Sequence, residues 1–263
     1  MTGIMGRFFR QSLLSYKALY GYLDTKVYLL VKVVNPIMQL IFFTLLCKYI
    51  YHTDDVTPWL IGNSFLLSVY NSLFGVGIVM NNERHFGTLK LVIASPANKF
   101  LVFVGRAFFH ILDGLSSVIL GLLIGVLLFH LNVTNMNILL FFITVLISMF
   151  AAMGMGLFIG SLGLVVSDMN LLLNLSMYVL FIFCGANFPV ERLPFFLQNI
   201  SYLLPVTRGI EACRLIAEGR ITPHIYHLIG MEFVTGAVYM CIGFLFLIIL
   251  EKLAKKSATL DVY

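Results

Sequence analysis

The chain has 263 residues, 60% of them hydrophobic and only 11% charged. Average usage is nearer half apolar and a quarter charged, so a water-soluble domain of this length could not hide the excess, and lipid must be the solvent for most of it. The formal charge of +5 is dispersed along the edges of the apolar runs. That excludes a nucleic-acid surface and points to membrane topology.

In residues 1–26, Phe9, Leu13, Tyr16, Tyr20 and Leu23 recur at steps of four and three and form one helical stripe, with Arg10 and Lys17 off it. An aromatic face beside a basic face predicts a helix lying in the membrane interface. Met1 to Asp24 lack an apolar core followed by a small-residue cleavage site, so no cleavable signal is expected.

A spanning helix needs about 20 mostly apolar residues. Six windows qualify: Leu29–Ile50, Trp59–Met80, Phe103–Phe129, Ile138–Leu162, Leu171–Phe188 and Leu228–Leu250. They leave no room for a separate globular domain. Cys47, Cys184, Cys213 and Cys241 lack metal-ligand spacing and read as small packing residues.

The connection after the second window, Asn81 to Lys99, is charged at its start and apolar in its middle, and Ser95-Pro96 closes it. Proline lacks the amide donor and restrains the residue before it. A short helix across the membrane end, offering a mixed face to a soluble partner, fits this pattern. Lys and Arg gather before the first window, in this connection and in the tail. The short connections Tyr51–Pro58 and His130–Asn137 contain none. The positive-inside rule then places both termini and the Asn81–Lys99 connection in the cytosol.

Pro189 to Pro223, which should lie outside, breaks the charge pattern with Arg192, Arg208, Arg214 and Arg220, nearly balanced by Glu191, Glu211 and Glu218. Leu193, Phe196, Leu197, Ile200, Leu203 and Leu204 recur at helical spacing, and Pro205 breaks the run. Thr207 is expected to cap a second helix to about Glu218, with Arg214 and Glu218 paired four apart and Gly219 as the stop. Two short half-buried helices that dip into the outer leaflet and return are expected, an arrangement tolerated only where protein covers the backbone.

Ionisable residues inside spans are costly and should face protein or water. Arg106, His110 and Asp113 share one helical stripe. Arg106 is expected to snorkel to the cytosolic edge. Asp113 needs a partner, for which Lys32 of the first window is the candidate, and Glu232 of the last window could pair with Arg208 or Arg214. Structural roles are favoured for these pairs. Gly121 with Gly125, and Gly156 with Gly160, form Gly-x-x-x-Gly steps that suit either packing or dimer contact.

The order of these features is specific: Glu83-Arg84-His85-Phe86-Gly87-Thr88-Leu89 closed by Ala94-Ser95-Pro96, then Phe188-Pro189-Val190-Glu191-Arg192-Leu193-Pro194 continued by Leu204-Pro205-Val206-Thr207, Glu211 and Arg214. Set among six spans, it resembles the transmembrane permease subunit of type-2 ABC exporters, the polysaccharide and drug export permeases. Lys90 departs from the residue often found after Gly-Thr-Leu. The resemblance covers essentially the whole chain and implies a single all-α exporter domain over 1–263: an interfacial helix (1–26), six transmembrane helices, a cytosolic coupling segment (82–99) and an outer re-entrant segment (189–223).

It further implies a bacterial cytoplasmic-membrane complex with two copies of a separate ATPase subunit, which binds ATP and magnesium, and a second permease copy, identical or paralogous. This chain itself would bind no cofactor. No Gly-x-x-x-x-Gly-Lys-Ser/Thr loop occurs in it. The lever that the ATPase pushes would be Asn82 to Ala94. In it Glu83 and Arg84 would pair with surface charges, Phe86, Leu89 and Leu91 would enter an apolar groove beside Thr88, and Gly87 would permit the bend. A cargo path between two permeases is expected, with an amphipathic cargo: drug, lipid, glycan or peptide.

Two other classes compete. A gradient-driven transporter would want several mid-membrane carboxylates, and Asp113 is the only deep one. An intramembrane enzyme would need a paired constellation, and His110 with Asp113 has no second site beside it.

Overall fold

A computed structural model describes residues 24–85, 87, 99–163, 166 and 168–256, together with Gly6 and Leu13. The proposed interfacial stripe, apart from Leu13, therefore lies outside the described residues, as does most of the coupling segment. The described residues form helices: α1 (Thr25–Tyr51), α2 (Thr57–His85), α3 (Lys99–Phe129), α4 (Ile138–Leu162), α5 (Met169–Phe183), α6 (Phe195–Leu203), α7 (Thr207–Ala217) and α8 (Pro223–Lys256). Five of them, α1 to α4 and α8, contain stretches long and apolar enough to cross a membrane. The chain is a multi-pass membrane protein.

The expected fifth span, Leu171–Phe188, is the exception. Helix α5 has 15 residues, a rise of about 22 Å against a hydrocarbon core of about 30 Å. It stops after Cys184, whose N–H still bonds to the Leu180 carbonyl at 2.9 Å, because Gly185 turns at φ +80° and Phe188 precedes a proline. Asp168 caps its start by accepting from the Leu171 N–H at 3.0 Å, as Asn137 caps α4 through Leu140 N–H at 3.0 Å.

Helix α2 is the most enclosed spanning helix; α1 and α8 are the least. Around α2 pack α3, α4, α1, α5 and α7, and α4 also packs closely against α8. Small residues permit these approaches. A side chain at Gly121 or Gly125 of α3 would strike Ser64 or Leu60 of α2, and one at Gly156 or Gly160 of α4 would strike Leu73 or Gly77 of α2. Both Gly-x-x-x-Gly steps thus serve packing inside the protomer. Gly154 of α4 likewise meets the Gly236 carbonyl of α8 at 2.9 Å from an added Cβ.

Large apolar side chains face outward, such as Leu127 and Leu139 at 72% and 73% exposure, where hydrocarbon rather than water is their natural solvent. The end of the bundle that carries the connections 52–56 and 130–137, and also α6 and α7, is called the upper end below. Cys47, Cys184 and Cys213 are buried free thiols and Cys241 is an exposed one.

Candidate functional site

Helix α1 is irregular where it carries its one cation of the mid-span. Pro36 has no N–H to offer the Lys32 carbonyl. The chain responds with a π-helical turn over Leu30–Val34, in which the Asn35 N–H bonds to the Leu30 carbonyl five residues back. Such turns often occur at functional sites.

Lys32, set in that turn, forms an ion pair with Asp113 of α3, and its ammonium also donates to Asn71 Oδ1 of α2 at 3.3 Å. Asn71 in turn donates to Ser117 Oγ of α3 at 2.8 Å. Three helices therefore converge on one polar knot, and the expected partnership of Lys32 with Asp113 is present. His110, one turn before Asp113, is buried against Gly75 of α2, where any side chain would collide with its ring. The side chain of Arg106 lies outside the described residues.

The knot forms part of the wall of a cleft of about 490 Å³ between α1 and α2. Asn35 and Gln39, a helical turn apart, line it from α1, opposite Tyr70 and Phe74 of α2. Those two rings stack with centroids 4.2 Å apart. The cleft thus combines an aromatic wall with amide groups and a neutralised ion pair, features that suit an amphipathic molecule.

The second polar centre is at the upper end, where the sequence motifs Pro189–Pro194 and Pro205–Arg214 come together. Pro189 leads into a 3₁₀ turn over Val190–Arg192 that contains Glu191, and Pro194 starts α6. Arg192 stands over the Tyr51 ring at 5.3 Å, and Tyr51 stacks on Trp59 at 4.7 Å. Asn63 of α2 donates to Asn187 Oδ1 at 3.0 Å. Helix α6 turns Phe195, Phe196 and Leu203 outward, so two residues of the expected buried stripe are exposed. After the Leu204-Pro205 break, α7 is buried through Thr207, Gly209, Ile210, Ala212, Cys213 and Ile216 and packs on α8, α4 and α2.

Three expected contacts of this segment are replaced. Arg214 does not pair with Glu218. It turns inward, where its Nε donates to the Pro58 carbonyl at 2.9 Å and its guanidinium to the Ala186 carbonyl at 2.8 Å, while Glu218 pairs with Arg220 at 3.2 Å. The two carbonyls, one in the first turn of α2 and one in the turn after α5, are spaced so that one planar guanidinium fork serves both.

Thr207 does not cap α7. Val206 occupies the cap position, and the Thr207 hydroxyl donates back to the Ser201 carbonyl at 2.7 Å. Glu232 does not pair with either arginine. Its carboxylate accepts the Val206 and Gly209 N–H groups, while Arg208 donates to Thr235 at 3.1 Å and stands over Tyr202 at 5.4 Å. Gly219 ends the helix at φ +72° as expected. Glu211 meets His224 of α8 at 3.6 Å, and burial pushes its carboxyl above the ordinary range while His224 draws it back.

At the lower end, α2 runs through Asn82, Glu83 and Arg84 to His85, and Gly87 follows in the left-handed region at φ +68°. The side chains of Glu83 and Arg84, and all of Phe86, Thr88, Leu89 and Leu91, lie outside the described residues.

Two curated relatives show what this architecture accompanies. "Probable multidrug ABC transporter permease YbhR" from Escherichia coli strain K12 is 26% identical over 162 residues, which cover 60% of this chain and 43% of the relative. Its counterpart from Escherichia coli O157:H7 matches over the same shares. The matched stretch is thus less than half the length of those relatives. The family model for ABC-2 type transporters matches residues 12–217, from ahead of α1 to the end of α7. On that match, the chain belongs to the ABC-2 type transporter family.

Proposed function

We propose that this chain is the membrane-spanning permease subunit of an ATP-driven exporter that moves an amphipathic small molecule outward. The family match over residues 12–217 carries this reading. A second permease copy completes the path, cargo passes by alternating access at the interface of the two, and two copies of a separate ATPase bind ATP and magnesium. In the full arrangement α5 and the stretch after it make a sixth crossing, α6 and α7 form an outer re-entrant pair, and both termini face the cytosol.

The cleft between α1 and α2 supports a drug-like cargo. Its volume of about 490 Å³ lies within the ~300–1,000 Å³ typical of small-molecule sites. Its amides lie on spanning helices where lipid cannot satisfy them, which favours a ligand that brings its own polar groups. The multidrug designation of the relatives agrees with that chemistry.

The test is reconstitution. The chain is co-expressed with a candidate ABC ATPase subunit, purified through a tag on the chain alone, and placed in proteoliposomes. Co-purification and ATP-dependent movement of an amphipathic dye such as Hoechst 33342 are expected. Stable recovery of the chain without any ATPase, with dye movement that follows an imposed ion gradient instead of ATP, would return the gradient-driven reading.

A further inference from the structure

Helix α7 starts without a cap of its own. Its first-turn amides need acceptors, and the cap position holds Val206, which has no side-chain oxygen. Val206 also sits at φ +78°, ψ −22°, a left-handed conformation that is a genuine outlier for a β-branched residue. Strain of this kind persists only where the surroundings enforce it.

What enforces it comes from another helix. Glu232, in the apolar α8, is 0% exposed. One carboxylate oxygen accepts the Val206 N–H at 2.5 Å and the other the Gly209 N–H at 3.3 Å. A carboxylate at a helix start meets the positive end of the helix dipole and forms charge-assisted bonds. Each side thereby meets the other's need, since a carboxylate within a spanning helix requires a partner.

The same amides hold α7 against the bundle. Gly209 lies so close to Ser148 of α4 that any side chain would collide with it. One turn further on, Cys213 is 0% exposed beside the Phe141 carbonyl of α4.

We propose that Glu232 is a positioning residue that pins α7 into the upper end of the bundle. Release of its carboxylate lets Val206 leave the left-handed region and α7 lift away from α4 and α8. A permease whose upper end opens would need such a release. That consequence rests on the export reading, whereas the pinning does not.

Cys213 reports the pinning directly. The purified full chain in lipid nanodiscs is treated with N-ethylmaleimide, and labelling at Cys213 is followed by peptide mass spectrometry. Cys47 on α1, also buried, is the reference for loosening of the whole fold. Glu232→Gln keeps the shape but turns an amide donor toward backbone donors. It should raise the Cys213 rate roughly tenfold, the loss expected for one charge-assisted hydrogen bond, and leave Cys47 unchanged.

Glu232→Asp keeps the charge and withdraws it by one methylene. It should give an intermediate rate, and it decides the matter if Glu232→Gln does not fold. Val206→Gly in the double variant removes the strain and should bring the Glu232→Gln rate back toward that of the parent. Parental Cys213 labelling in Glu232→Gln and Glu232→Asp overturns the proposal, and so does an equal rise at Cys47. Because no ATPase or cargo is present, failure here leaves the export reading untouched.

Discussion

The Lys32 ammonium of α1 and the Asp113 carboxylate of α3 form an ion pair whose side chains are 11% and 7% exposed, within reach of Asn71 on the α2 between them. Removing one member leaves the other charge buried beside a cleft. Breaking a buried pair costs about 3–5 kcal/mol, whereas replacing both members by apolar residues of similar volume is often neutral.

The first prediction is therefore a coupling. Lys32→Met and Asp113→Leu should each lower the unfolding temperature in detergent by several degrees. The double variant should recover most of the loss, and the cycle isolates the pair term. Additive losses would show that each side chain acts through other contacts.

That pair was legible from the sequence because each charge lies in an apolar window, where few partners exist. The all-helical multi-pass architecture was equally legible, since 60% apolar residues in long runs leave no soluble alternative. The helices α6 and α7 followed from the proline breaks and the periodicity between them. Three features were not legible. The π-turn at Leu30–Val34 depends on how α1 accommodates Pro36 while Lys32 reaches α3. The inward turn of Arg214 depends on two carbonyls, in the first turn of α2 and in the turn after α5, that only the folded chain brings together. The capping of α7 by Glu232 depends on an amide left open by Val206. Spacing within one helix reveals side-chain pairs, but not which backbone groups another element leaves unsatisfied.

Arg214 offers a prediction with a built-in reporter. It holds the carbonyl of Pro58, the neighbour of Trp59, the single tryptophan of the chain. Lysine has no planar fork and cannot serve both carbonyls. Arg214→Lys should destabilise the chain by about 1–3 kcal/mol, the cost of an acceptor left unmade. Trp59 emission should also shift to the red and become more open to acrylamide. Unchanged tryptophan spectra would mean that the upper connections hold their shape without the arginine.

Orientation is the third prediction. Asp54 is fully exposed in the connection after α1, and Asn132 is exposed in the one after α3. Asp54→Cys and Asn132→Cys, in a cysteine-free background, should react with an impermeant thiol reagent in intact cells. Arg84→Cys and Lys256→Cys should react only after permeabilisation. The physical basis is the absence of Lys and Arg from the connections 52–56 and 130–137, against their concentration before α1, after α2 and in the tail. Labelling at residue 84 from outside would reverse the orientation and remove the basis for an ATPase contact there.

The last prediction concerns coupling at the lower end. Glu83 stands in the last turn of α2, and Gly87 follows just beyond it at φ +68°. Gly87→Val lacks the right backbone, because a β-branched residue resists the left-handed region. It should redirect the segment that follows without disturbing the packed spans. Glu83→Lys leaves the turn alone and reverses a charge at the proposed contact, where like charges brought together repel. Both variants should insert and purify like the parent, and both should lower cargo-stimulated ATP hydrolysis severalfold in the reconstituted complex. The comparator is Asp54→Lys, whose pairing with Lys48 at 3.0 Å is solvent-exposed and therefore weak. Asp55 is a poorer comparator, since it accepts the Thr57 N–H at the start of α2 at 3.0 Å. If Gly87→Val and Glu83→Lys couple like the parent while Asp54→Lys does not, the segment after α2 is not the lever, and the drive must reach the permease elsewhere.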